Sequence, residues 1–351
     1  MPGKARSETV RLGEVAVYHC WNRCVRRAFL CGDDEDSGSN FGHRRDWVVS
    51  MQQSLAGVFG IEIAFRAEMG NHLHLILRTR PDIVEDWTDE DVVRRWMIIC
   101  RLAKSHEGTA ESPDEDEIQM EIRDSERVMQ IRENLSNPSW FMGTLCEYIS
   151  RRSNREDDCT GRFWEGRFSC RDLVDEASIL VCGIYVDLNP IRSGEIELPE
   201  HATHTSAADR ISDRQQGIAQ STKRGSESRS GWMCQLTLDE QERVDSPSQR
   251  TSASGRRASD KGILPITLDD YLKLLDVSGR IVRSGKASIP AHASAILDRL
   301  GIVSQHWLEL ITDFESLFGS IVGRPQALLD RAQRVGRHWL QGMKNSERCF
   351  E

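Results

Sequence analysis

The sequence contains no apolar run of about 18 residues, the length needed to span a bilayer as a helix. Its first residues, Met1-Pro2-Gly3-Lys4, lack the apolar core of a secretory leader. A soluble, cytoplasmic protein with no membrane contact is therefore expected. Cysteine is sparse: ten in 351 residues are too few for a disulfide scaffold, and a reducing compartment keeps them as thiols. Cys20-x3-Cys24-x6-Cys31 fits no standard zinc spacing, so ordinary buried or exposed thiols are expected there. Tyrosine is scarcer still, limited to Tyr18, Tyr148, Tyr185 and Tyr271. Chemistry that needs a phenol has few places to sit.

A basic excess is also missing. The net charge of −9 argues against a protein that coats nucleic acid non-specifically. Between Glu107 and Glu126 nine acids face one base, Arg123, so this segment alone carries −8. It reads as a solvated loop or partly frayed helix. The remainder is close to neutral and leaves room for an arginine-lined groove.

What is present centres on Glu68-Met69-Gly70-Asn71-His72-Leu73-His74-Leu75-Ile76-Leu77-Arg78. Alternate side chains of a strand share a face, so His72 and His74 project together while Leu73, Leu75 and Leu77 point the other way. Ile61 to Glu68 alternates too, and Gly70-Asn71 between the two runs predicts a tight hairpin. Two neutral imidazoles side by side make a half-site for a divalent metal. The alternative is one surface histidine and one hydrogen-bonded near the core. Glu68 could add a carboxylate or simply face solvent.

Val15 to Trp21 predicts a central strand, and apolar positions from His43 to Phe59 predict an amphipathic helix. Strand, helix and hairpin in that order open a split βαβ sheet. Asp89 to Leu102 reads as a helix. Ser136-Asn137-Pro138 starts another, with Phe141, Leu145 and Tyr148 on one face. Leu173 to Leu188 is an apolar helix stopped by Asn189-Pro190. Residues 203–261, rich in Ser, Arg, Gln, Gly and Thr, read as a disordered linker whose apolar island is Trp232 to Leu236. Residues 263–345 read as a separate small all-α module, with helices capped by Thr267 and Ser304 and one started by Pro325.

Met69-x-Asn71-His72-x-His74-Leu75 resembles the His-hydrophobic-His strand of the single-tyrosine HUH transposases, in particular the REP-associated tyrosine transposases. Three further pieces match in order. Val17-Tyr18-His19 with Asn22-Arg23 resembles that family's first strand. Gly161-Arg162-Phe163-Trp164-Glu165-Gly166-Arg167-Phe168 resembles its Gly-x-x-Trp segment. Tyr185-Val186-Asp187-Leu188-Asn189-Pro190-Ile191-Arg192 resembles its Asn-Pro segment.

The resemblance implies a transposase or nickase in which a tyrosine attacks a DNA phosphodiester and becomes joined to the 5′ phosphate, with Mg²⁺ or Mn²⁺ on the histidine pair. It implies His72 and His74 as metal ligands. Tyr18 and Tyr185 belong to other motifs and Tyr271 lies outside the match, which leaves Tyr148 as the candidate nucleophile. Tyr148 sits several residues earlier than the family tyrosine, and Arg152 stands where an amide ligand is expected four residues on; the alternative role is a core aromatic on the Phe141/Leu145 stripe. Arg151, Arg152, Arg155, Arg162, Arg167 and Arg171, interleaved with Phe163, Trp164 and Phe168, suit single-stranded or hairpin DNA through phosphate pairing and base stacking. Surface ion pairs with Glu156, Asp157, Asp158 and Glu165 are the competing reading, and Trp164 taken alone reads as a core residue ahead of a stacking platform. Arg192 contacts phosphate or caps a helix end. By analogy with the family a homodimer is expected. The expected fold is α/β (α+β), an HUH or ferredoxin-like antiparallel-centred sheet flanked by helices over residues 10–200, with the acidic insert 107–126. Its competitor in function is a DNA-binding protein of the same fold that has lost cleavage.

Overall fold

A computed structural model describes residues 8–25, 30–32, 38, 40–105, 107–196, 203–217, 228–239, 241–247, 251–284 and 290–351. The first half runs β1 (Ala16–Arg23), α1 (Arg44–Val58), β2 (Ile61–Glu68), β3 (His72–Thr79), α2 (Pro81–Glu85), α3 (Asp89–Lys104), α4 (Glu115–Ile122), α5 (Ser125–Leu135) and α6 (Pro138–Glu156). Then come β4 (Ser169–Leu173), α7 (Glu176–Asp187), α8 (Asn189–Arg192), α9 (Ser206–Gln215), β5 (Gln235–Thr237) and β6 (Gly262–Leu264). The chain continues through α10 (Leu268–Ser284), α11 (Ala291–Arg299), α12 (Trp307–Leu317), β7 (Ile321–Val322), α13 (Pro325–Arg334) and α14 (Met343–Cys349).

Five strands form one sheet in the order β2-β3-β1-β4-β7, antiparallel except for the β4–β7 pair, and helices cover both faces. This is the antiparallel-centred, helix-flanked sheet expected. Two-residue periodicity sorts β3 onto two layers. Leu73, Leu75 and Leu77 pack with Val48, Met51 and Leu55 of α1, Trp96 of α3, and Phe141 and Leu145 of α6. Ile76 turns to the opposite layer, with Phe65 of β2, Ile184 of α7, Leu274 of α10, and Leu310 and Phe314 of α12. The helices start as their sequences direct: Asn137 accepts from the Ser139 amide at 2.8 Å, and Asp175 from the Ser178 amide at 2.8 Å. At Gly183 helix α7 comes so close to β2 that a Cβ there would lie 2.9 Å from the Phe65 ring.

Several expectations change. The acidic insert takes the helical of its two expected forms, and is packed rather than frayed: Asp114 and Glu117 form a reciprocal cap on α4, whose Ile118 is buried, and Arg94 and Arg101 pair with Glu115 and Glu117. The helix expected from Leu173 begins only at Glu176, because residues 169–173 pair with β1 as a strand. Pro190 opens the short α8 rather than simply ending α7. Thr267 caps the Asp270 amide at 3.1 Å, whereas Ser304 opens a single 3₁₀ turn without a side-chain cap.

Residues 203–261, expected as a linker, carry α9 and β5 and bury Trp232, which lies under the Arg66 guanidinium at 5.6 Å. Within that span 218–227, 240 and 248–250 lie outside the described residues. The apolar island docks on the sheet, with the Cys234 amide donating to the Ile63 carbonyl at 2.8 Å. The expected C-terminal module is not set apart. Its β7 extends the sheet beside β4, and Trp307, Leu310 and Phe314 share a core with α7. Local helical patterning could not show this, because the partner of an amphipathic face is not written in its own periodicity.

Candidate active site and nucleic-acid interface

His72 and His74 face the α7/α12 layer at the end of β3, their ring centroids 4.9 Å apart. The register of β1 against β3 adds His19, whose ring stacks on His74 at 5.1 Å. With the Asn71 and Asn189 amides oriented as they stand, one set of tautomers satisfies the network. An N–H on His72 Nδ1 donates to Asn71 Oδ1 at 2.5 Å, leaving Nε2 with its lone pair. Asn189 Nδ2 donates to His74 Nε2 at 3.3 Å, so His74 carries its proton on Nδ1 and gives it to His19 Nε2 at 2.9 Å. His19 then keeps a proton on a buried Nδ1 with no hydrogen-bond partner among the described residues, which costs about 1–3 kcal/mol. Asn189 lines the cleft with both imidazoles.

Burial is the largest cause holding all three histidines below the ordinary imidazole range. His72 is pushed down to about 4, with Arg23 adding to the effect. His74 feels His19 and His72 as well, and His19 feels Arg171. All three are neutral at physiological pH.

The pair opens into a cleft of about 650 Å³ that Trp21, Asn22, Arg23, Glu165, Arg167, Ser169, Tyr185, Asn189, Arg192 and Glu315 also line. Helix α12 supplies one wall. Its backbone kinks at Asp313 (φ −112°, ψ 16°), and the carbonyls near the kink are taken by arginines. Arg192 donates to the Thr312 carbonyl, and Arg171 to those of Phe314 (3.4 Å) and Glu315 (2.6 Å). Tyr185 donates its hydroxyl proton to Glu315 Oε1 at 2.8 Å under the Arg192 guanidinium, 4.5 Å from the ring. Burial, then the Glu315 charge, pushes its phenol up to about 12.

Tyr148 is elsewhere. It is 2% exposed in the layer behind Leu73, Leu75 and Leu77, with the sheet between it and the histidines. Its hydroxyl accepts from Arg152, and that guanidinium stacks on Trp47 at 4.0 Å. The alternative weighed in the sequence, a core aromatic on the Phe141/Leu145 stripe, is the place the fold gives it.

The expected arginine cluster divides in the same way. Arg167 and Arg192 line the cleft. Arg151 is exposed on α6 and pairs with Glu147, Arg155 is exposed, and Arg162 reaches the Glu165 carbonyl at 3.3 Å. Trp164 is core, its indole N–H donating to the Cys146 carbonyl at 2.8 Å. Glu68 is neither ligand nor solvent-facing: it is buried against Gln52 and Arg66. His19 could have been found by alternation along Val17 to Arg23, which puts His19, Trp21 and Arg23 on one face; Asn22 has the opposite parity and no such signal. Glu315 has no local signal.

The described residues contain no cluster of three or more His, Cys, Asp or Glu able to hold a metal ion. His72 Nε2 is open to a cation completed by oxygen donors, whereas His74 Nε2 becomes a second ligand only if Asn189 gives up its hydrogen bond to it. Imidazole nitrogen suits Mn²⁺ better than Mg²⁺, which prefers oxygen throughout. No described helix is long and apolar enough to cross a membrane.

No family model matches the sequence, and no curated protein matches it. Among solved structures, a REP-associated tyrosine transposase bound to a REP hairpin aligns at 10% identity over 62% of this chain and 88% of that one, with a TM-score of 0.33. A likeness of that size assigns neither family nor activity to this chain.

Proposed function

We propose that this chain is an HUH-type DNA-binding protein, taking single-stranded or hairpin DNA into the histidine cleft, in which Tyr148 plays no part in strand cleavage. One observation carries the reading: the neutral His72 imidazole offers its Nε2 lone pair to a cleft that also presents Arg23, Arg167 and Arg192, and the neighbouring His74 Nε2 is held there by the Asn189 amide. His72 and His74 would hold Mn²⁺ or Mg²⁺, which when bound offsets charge on a phosphodiester's non-bridging oxygens. Asn71 and His19 orient the imidazoles by accepting their Nδ1 protons. Arg23 and Arg167, exposed at the rim, pair with flanking phosphates. Trp21, half-buried and stacked on His19 at 4.8 Å, gives an unpaired base a flat surface.

A second reading, cleavage from Tyr185, is favoured by its hydroxyl lying in the cleft at 2.8 Å from Glu315. There Glu315 takes the phenolic proton, the phenolate oxygen bonds to phosphorus as the phosphorus bond to the 3′ oxygen breaks, and the proton held by Glu315 is returned to that oxygen, which leaves as a hydroxyl.

The test is binding and denaturing-gel analysis with Mn²⁺ and labelled single-stranded hairpin DNA from the flanks of the gene. Expected are a retarded complex without a covalent adduct, a salt dependence that flattens by about one unit of slope in Arg167→Ala, and weaker binding in His72→Ala. An adduct lost in Tyr185→Phe would establish the second reading. An adduct lost in Tyr148→Phe, or absence of DNA binding altogether, would overturn the proposal.

A further inference from the structure

Cys20 of β1 and Cys170 of β4 stand directly opposite in the antiparallel register, with their sulfurs 3.8 Å apart. Opposed residues on antiparallel strands have Cα atoms about 4.5–5.5 Å apart, inside the range of about 4.4–6.8 Å that a disulfide spans. Closing the bond here asks for side-chain adjustment and no strand movement. The two thiols are unequal in access: Cys170 is half-buried, while Cys20 is 0% exposed. That is the layout of an oxidation pair, one sulfur within reach of a small oxidant and a sheltered one positioned to resolve the product. The next pair in register, Trp21 and Ser169, lines the cleft.

We propose that Cys20 and Cys170 are a modification site at which a hydroperoxide produces a cross-strand disulfide. The Cys170 thiolate attacks the peroxide, the O–O bond breaks, and one oxygen leaves as water while the other stays as a sulfenic acid. The Cys20 sulfur then attacks the Cys170 sulfur, the S–O bond breaks, and that oxygen leaves as a second water with the Cys20 proton. Two thiols lose two electrons and one hydrogen peroxide becomes two waters. In a reducing compartment such a bond is transient, formed under oxidant and reversed by thiol exchange.

The experiment treats the folded, full-length chain with hydrogen peroxide, alkylates remaining thiols in denaturant, and reads intact mass and peptide map. The expected result is a loss of about 2 Da before alkylation, eight of the ten cysteines alkylated, and one cross-linked species joining the Cys20 and Cys170 peptides, all reversed by dithiothreitol. Cys170→Ser, at a half-buried position, keeps the fold and abolishes the cross-link. Map and reversal need no variant, so a misfolded Cys170→Ser protein leaves the test intact. A cross-link that involves other cysteines, that persists in Cys170→Ser, or that fails to form overturns the proposal.

Discussion

The two faces of β3 differ in what they ask of their neighbours. Behind the strand, Leu73, Leu75 and Leu77 meet a closed apolar layer from α1, α3, α5 and α6, into which Tyr148 is folded. In front, His72 and His74 meet a second layer that stays open as a polar cleft and is walled by residues from four regions far apart in sequence. One strand thus supplies a packed face with one set of side chains and the floor of a polar cleft with the other. A binding group held this way is positioned by packing on the reverse side, which a site on a loop lacks.

The sharpest way to break this contrast is to damage the apolar face alone. Leu75→Ala should cost about 2–5 kcal/mol of unfolding free energy by chemical denaturation, with DNA affinity per folded molecule largely kept. If affinity collapsed while stability held, the division of labour would be wrong. Gly183→Ala attacks the other layer by forcing a methyl against the buried Phe65 ring, and overpacking of this kind costs about 1–3 kcal/mol; the matching observable is a lowered Tm.

Acid should act on the polar face first. His72, His74 and His19 are held below the ordinary imidazole range, so between the folded and unfolded values the unfolded chain binds more protons. Their contribution is complete above about pH 6.5 and is lost as pH falls toward about 4. Denaturation midpoints measured over that interval should drop in wild type and drop less in His72→Gln. The smallest effect belongs to Tyr148→Phe, which removes only the hydroxyl that Arg152 donates to: about 0.5–1.5 kcal/mol of stability, with DNA binding unchanged in a gel-shift titration. A large loss of binding there would erase the distinction between the faces.

The sequence made the hairpin, the alternation of β3 and most helix starts legible because each is a local rule, written within a few residues. His72 and His74 were visible for the same reason. Tyr148 was reached by eliminating three other tyrosines, and elimination cannot say on which side of a sheet a helix packs. The Phe141/Leu145/Tyr148 stripe already held the answer: three neighbours on one helical face enter one core together. Glu315 and the sheet-extending β7 were invisible because what places them is tertiary. Trp232 illustrates the opposite error, since a Ser- and Arg-rich composition suggested a linker where arginine stems and buried serines in fact pack.

The wall supplied by α12 also has a bearing on time. Tyr185 and Glu315, which meet by a hydrogen bond, are 130 residues apart in the chain. A polypeptide emerging from the ribosome therefore carries its histidine strand long before the helix that finishes the cleft exists. Until residues 307–322 are made, the apolar residues on the histidine side of the sheet lack part of their cover, and closing so long a loop is entropically slow. Assembly of the cleft should thus be a late folding event, completed only after α12 has emerged.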